Sequence, residues 1–139
     1  MKIESVTAEI LHYDLDRPMA DAQVDIATRT TVLVRVRTSD GVDGIGEAGC
    51  FGAAEHTVKT IVETQLAPLL IDEDHRLIER LWEKMYRGTV QLGRRGLIIA
   101  AMSGVDIALW DALGKASGLP LYLMLGGNAR RVPAYASGG

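Results

Sequence analysis

Gly44, Gly46 and Gly49 stand in the spacing G-x-G-x-x-G within GVDGIGEAGC, residues 41–50. That spacing lets backbone amides cradle a pyrophosphate when a strand feeds straight into the glycines and a helix opens behind them. Here the strongly alternating run, residues 28 to 38, ends too early and turns at Asp40-Gly41. The glycines therefore fall within and just after a return strand. No second strand ends in an acidic residue to hold a ribose; Glu63 has a suitable separation but sits mid-helix. Gly44 and Gly46 read better as marks of a strand that another backbone or a ligand approaches closely. A small dinucleotide-binding domain remains the rival reading.

The other candidate chemistry is sparse. Asp72-Glu73-Asp74-His75 gathers four possible metal ligands, but no second ligand group stands at a recognisable spacing. A solvated loop that caps the following helix is the simpler account. His12 and His56 are isolated, and Glu55 beside His56 points to a different helix face. Cys50 has no local cysteine or histidine partner to make it a nucleophile. Trp82, Trp110 and Tyr86 fit core or interface positions. By local chemistry alone, the chain holds no convincing catalytic set.

The elements that must position these residues fall into two blocks. From Ile3 to Tyr13 the sequence alternates, with Val6, Ala8 and Ile10 on one face, which predicts a half-buried strand. Residues 15 to 26 show no sustained period and read as a long polar loop. Residues 28 to 38 form a second strand with Thr30, Val32, Val34 and Val36 on one face. Asp40-Gly41 is a hairpin signal, and a third strand follows from Val42 to about Glu47. Three antiparallel strands in a meander are expected.

The remainder is helical. Val58, Ile61, Val62, Gln65 and Leu66 mark a helix from about Ala53 to Leu66, stopped near Pro68. A second helix carries Leu77, Ile78, Leu81, Trp82 and Met85 on its core face. A third, long helix follows the loop 88–96 and runs to about Ser117, with Gly118 and Pro120 as its stop. Its stripe of Ala101, Gly104, Val105, Ala108, Leu109 and Ala112 is mostly small, so a neighbour can come close. Asp111 and Lys115 are set for an i,i+4 ion pair. Val132 to Ser137 resembles the start of another strand. Strands first and helices second make an α+β domain, a meander followed by three or four helices.

The 139 residues carry a net charge of −3, 47% hydrophobic and 24% charged. That balance is globular and offers no nucleic-acid or anionic-membrane footprint. One cysteine excludes an internal disulfide and suits a reducing, cytoplasmic setting. The N-terminus reads as a strand rather than a signal peptide, and no apolar run approaches membrane-spanning length.

The run from Ala101 to Lys115, AMSGVDIALWDALGK, resembles a signature helix of the enolase superfamily, in its mandelate racemase and muconate lactonizing enzyme branch. The likeness continues through Gly118-Leu119-Pro120-Leu121-Tyr122, Leu125-Gly126-Gly127 and Val132-Pro133-Ala134-Tyr135. Upstream, Gly44-Ile45-Gly46-Glu47-Ala48 is similar too. The resemblance implies an N-terminal capping domain, residues 1–130, with 131–139 as the first strand of a TIM-like barrel otherwise absent.

Such enzymes abstract the proton α to a carboxylate and stabilise the enediolate with Mg²⁺. The expected reaction class is lyase or isomerase: dehydration of an acid sugar first, with epimerisation, racemisation or cycloisomerisation as alternatives. The resemblance places the base and the metal ligands on barrel strands, so neither catalytic residues nor Mg²⁺ ligands are expected here. The 139 residues alone are expected to be inactive, and the whole enzyme to be a homo-oligomer. What a cap contributes is substrate contact from two loops, 15–26 and 49–53. On that basis Met19, Asp21, Cys50 and Phe51 are the candidate substrate-facing residues. Asp21 and Gln23 suit a hydroxylated carboxylate substrate, and Met19 and Phe51 an apolar seal. The loop bearing Arg94 and Arg95 is a further candidate, for a substrate carboxylate or a neighbouring subunit. A stand-alone interaction module, using the small-residue face of the third helix, is the other rival.

Overall fold

The structure, a computed structural model, describes residues 1–20, 25–50, 53–128 and 131–136. Strands β1 (Ile3–Ala20), β2 (Asp25–Thr38) and β3 (Asp43–Ala48) form an antiparallel sheet in the order β1-β2-β3. Val32, Val34 and Val36 of β2 are wholly buried, with Val6 and Ala8 beside them. Alternation therefore reports the buried face correctly, and Gly41 takes the positive φ of +80° that the turn into β3 needs.

The helices cover that face. Helix α1 (Glu55–Ile61) runs through a π turn (Val62–Leu66) into α2 (Ala67–Leu70). After α3 (Ile78–Gly88) and a short 3₁₀ turn (Val90–Leu92), the chain enters α4 (Leu97–Ser117) and then α5 (Leu121–Met124). Gly118 closes α4 at φ +64° in the left-handed conformation, as the stop signal requires. Among the core side chains are Val58, Leu66, Leu70, Leu81, Met85, Met102 and Leu109.

The contact between β3 and α4 answers the question of the glycines. A Cβ on Gly44 would meet the Ala108 carbonyl and lie 2.7 Å from the Ala112 amide; one on Gly46 would meet the Gly104 carbonyl and lie 2.6 Å from the Ala108 amide. From the other side, a Cβ on Gly104 would come within 2.7 Å of the Ala48 Cβ. Glycines on the strand and small residues on the helix thus let two backbones touch. The helix fills the space a pyrophosphate would need, and no helix N-terminus faces Gly44 or Gly46. The dinucleotide reading is excluded. Two tethers lock the seam: the Ile45 amide donates to Asp111 Oδ2 at 2.8 Å, and Lys115 Nζ to the Asp43 carbonyl at 2.8 Å. Asp111 and Lys115 also pair with each other at 2.6 Å.

Several expectations need correction. Residues 15–20, read as loop, continue β1, and Asp25 to Ala27 begin β2. A hairpin arm results, with an irregularity between Asp14 and Met19. The arm stands beyond the core, so neither face is buried and no period appears. The first helix passes Pro68 and reaches Leu70; the preceding π turn resets the hydrogen-bond register, and Pro68 falls in the first turn of α2, where no amide donor is needed. The same turn leaves Gln65 exposed.

Leu77 and Trp82 are exposed rather than core; Trp82 stacks on Tyr86 with ring centroids 4.9 Å apart, on the outer side of α3. Helix α4 is long and apolar enough to cross a membrane by composition, contrary to the sequence reading, although half of its most apolar window is buried in the fold. The acidic loop does not cap α3, whose N-terminus has no side-chain cap. It pairs with the chain start instead: the Ile3 amide donates to the Glu73 carbonyl and the Asp72 amide to the Ile3 carbonyl, both at 2.9 Å. Residues 131–136 are exposed and in no ladder; Ser137 lies outside the described residues.

Candidate functional site

Strands β1 and β3 run in the same direction, so the tip of the hairpin arm and the end of β3 leave the sheet at one end. Met19 sits near the tip, half-buried and opposite Ile26. Cys50 follows β3, half-buried against the core. Ala48 pairs with Val32 while Met19 pairs with Ile26. At about 3.3 Å per residue, the arm therefore reaches roughly 20 Å past the end of β3. The structure brings Met19 and Cys50 to one end of the domain but not into contact. Asp21, Gln23 and Phe51 lie outside the described residues.

The Cys50 thiol is pushed above its ordinary value by burial, then by the carboxylates of Glu55 and Glu47. A raised pKa disfavours the thiolate, the form a nucleophilic cysteine needs. Glu47 itself accepts a hydrogen bond from the Thr31 hydroxyl. Past Cys50, Ala53 holds φ +57°, a left-handed value that a residue with a Cβ adopts at a cost. The surrounding fold thus over-determines the entry into α1.

Metal chemistry finds no home among the described residues, where no three His, Cys, Asp or Glu side chains converge. The acidic loop is spent on ion pairs. Asp74 and Arg76 form a bidentate pair with contacts of 2.6 and 2.9 Å, which holds Asp74 well below the usual carboxylate range. Glu73 is lowered mainly by its 2.6 Å hydrogen bond from Lys84. His75 is fully buried behind them, with Nδ1 3.2 Å from the Met1 carbonyl. The described residues do not fit a Mg²⁺ site. Arg94 is likewise occupied: its guanidinium lies 3.7 Å from the Tyr86 ring centroid and donates to the Tyr86 carbonyl.

Two features escaped the sequence reading. Lys59 and Glu63 pair at 2.7 Å, and both bond the backbone of Ala8 on the outer strand. Their i,i+4 spacing was visible, but its target across the fold was not. A groove of about 320 Å³ also lies where α4 meets the turn into α5, lined by Asp111, Lys115, Leu119 and Pro120 among others. It is remote from Met19 and Cys50.

A three-stranded meander backed by helices, with the hairpin arm and the segment after β3 at one end, defines the class of domain. Residues 5–126 match the family model described as mandelate racemase / muconate lactonizing enzyme, N-terminal domain. The chain belongs to this family of the enolase superfamily. It is 49% identical over 108 residues to an arabinonate dehydratase of Saccharolobus solfataricus, covering 78% of this chain and 29% of that protein. It is 38% identical to a D-galactarolactone cycloisomerase of Agrobacterium fabrum, over 99% of this chain and 36% of that one. A crystal structure of an L-talarate/galactarate dehydratase variant with Mg and L-glucarate superposes with a TM-score of 0.82 at 28% identity, covering 90% of this chain and 33% of that one. The chain spans about a third of the length of these relatives.

Proposed function

We propose that this domain serves as the substrate-specificity cap of an enzyme that abstracts the proton α to a carboxylate, with acid-sugar dehydration as the leading reaction. Racemisation, epimerisation or cycloisomerisation is the alternative within the same chemistry. The observation that carries the proposal is the shared end of the sheet, where a domain of this family presents the hairpin tip and the segment after β3. The relatives' names support the substrate class, since two act on sugar-derived acids or lactones. Mg²⁺ would be held by a barrel domain. Met19 and Cys50 would contact substrate from above, with Asp21 and Phe51 beside them. Met19 supplies an adaptable apolar surface, and the protonated Cys50 thiol a small, weakly polar one.

A chimera tests this reading. Residues 1–126 would replace the corresponding segment of the arabinonate dehydratase, leaving that enzyme's barrel unchanged. The substrate spectrum should then shift with the cap, and Met19→Ala or Cys50→Val should raise KM for acid sugars several-fold while leaving the melting temperature unchanged. An active chimera whose substrate preference and KM ignore all three changes would overturn it. The 139-residue chain by itself is expected to show neither turnover nor saturable Mg²⁺ binding.

A further inference from the structure

The sheet has two outer strands, β1 and β3, and each turns some backbone groups away from β2. Both sets are met in the same way. On β1 the Ala8 amide donates to Glu63 Oε1 at 3.3 Å, and the Ala8 carbonyl accepts from Lys59 Nζ. On β3 the Ile45 amide donates to Asp111 Oδ2 and the Asp43 carbonyl accepts from Lys115 Nζ, each at 2.8 Å. In each case a carboxylate and an ammonium stand four positions apart on helical turns and pair with each other, at 2.7 and 2.6 Å. Together they satisfy one donor and one acceptor of a bare edge.

These are the bonds that a further strand would make. An antiparallel neighbour exchanges bonds with both groups of one residue, as the pair at Ala8 does. A parallel neighbour takes the carbonyl of one residue and the amide two positions on, as the pair at Asp43 and Ile45 does. Helix stability does not call for the first pair, since an acid is better placed four residues before a lysine than after it. Lys59 precedes Glu63. The reason for that pair lies on the strand.

We infer that the two pairs are edge guards: side chains that stand in for missing strands, so that neither outer strand takes up an extended chain. An unprotected edge is a template for strand addition and aggregation. Other devices close the rest. Ile3 is bonded to the acidic loop, and α4 lies against β3. Beyond Ala8 the strand carries the exposed His12 and Asp14, and its register is interrupted before Met19; charge and irregularity both discourage addition. Ala8 lies between, where the ladder is regular and backed by the core. The Lys59–Glu63 pair therefore guards the more vulnerable edge.

Amide exchange tests the contacts in the unmodified chain. In the unbroken ladder from Ser5 to Asp14, His12 turns its amide outward as Ala8 does, with no partner among the described residues. The Ala8 and Ile45 amides should exchange roughly tenfold more slowly than that of His12. Exchange at Ala8 as fast as at His12 would overturn the guard on β1, and the same result at Ile45 the guard on β3.

Double variants test the consequence. Lys59→Ala with Glu63→Ala empties the β1 guard, and Asp111→Ala with Lys115→Ala the β3 guard. Glu83→Ala with Arg87→Ala is the control, removing an i,i+4 pair of α3 that bonds no strand. All three leave the net charge at −3, so colloidal repulsion is unchanged. Fibre growth is followed with thioflavin T at temperatures that give equal folded fractions. The lag should shorten about tenfold without the β1 guard and about threefold without the β3 guard, which α4 still backs. The control should match the unmodified chain. Equal lags for the β1 variant and the control, whether both long or both short, would overturn the proposal.

Discussion

The seam between β3 and α4 and the hairpin arm of β1 and β2 belong to one sheet, yet they are ordered by different means. At the seam the inward positions are constrained from two sides: Gly44, Gly46, Gly104, Ala108 and Ala112 are all buried, and no Cβ fits where the glycines stand. In the arm almost nothing is buried. Cross-strand bonds such as Thr30 to His12 and Thr28 to Asp14 supplement the backbone ladder. Packing tolerates one solution, whereas pairing tolerates many side chains. The region with freedom to vary is the one that reaches toward substrate in the proposed function.

Gly46→Ala should break the comparison most sharply. The added methyl meets helix backbone, which cannot rotate away, so overpacking should cost about 3 kcal/mol. For a domain of this size that corresponds to a fall of roughly 10 °C in melting temperature. Calorimetry would check it, and an unchanged midpoint would mean that β3 and α4 are not in backbone contact.

A smaller effect is expected from charge. Burial, then Glu79, raises the Asp106 carboxyl above its ordinary value. The folded state therefore holds that proton more tightly than the unfolded chain, and the ionised group costs stability above its folded pKa. Asp106→Asn should accordingly raise the melting temperature at pH 7 by a few degrees and lose the advantage in acid.

Glu63, Glu73 and Asp74 behave in the opposite sense, being lowered chiefly by hydrogen bonds from Lys59, Lys84 and Arg76. Their contribution is present above the ordinary carboxylate range, near pH 4, and disappears as pH falls through their lower folded values. All three are near the surface, so solvent screening keeps that contribution small. Lys84→Met should flatten the acid limb of the stability curve.

The smallest effect belongs to the arm. Thr30→Ala should shift the melting temperature by no more than about 2 °C, since a solvent-exposed hydrogen bond contributes little. Amide exchange should nevertheless quicken around His12, Tyr13 and Thr30 while β3 stays protected. Equal slowing or quickening in both regions would show that they open as one unit.

This contrast also explains what could be read from the residues. Val32, Val34 and Val36 announce their strand because one face is buried, and the small-residue stripe of α4 announces a close neighbour. The arm announces nothing, because alternation is a signature of burial rather than of strands. The glycine spacing misleads for a related reason: close backbone approach is what both a phosphate and a small-residue helix require. Trp82 fits the apolar stripe of α3 by spacing, but it lies exposed and stacks on Tyr86 one turn along the same helix. Met19 and Cys50 are found at one end of the sheet by register alone.

The tethers of the seam join residues far apart along the chain, Ile45 and Asp111 being 66 positions apart. During synthesis the part of the sheet that α4 covers stays bare until that helix is made, although α1 and α2 come earlier and cover the rest. At about 5–20 residues per second, that interval is roughly 3 to 13 s. For those seconds the nascent domain offers that bare part of the sheet to the cell, which makes α4 the step at which synthesis and folding compete with aggregation.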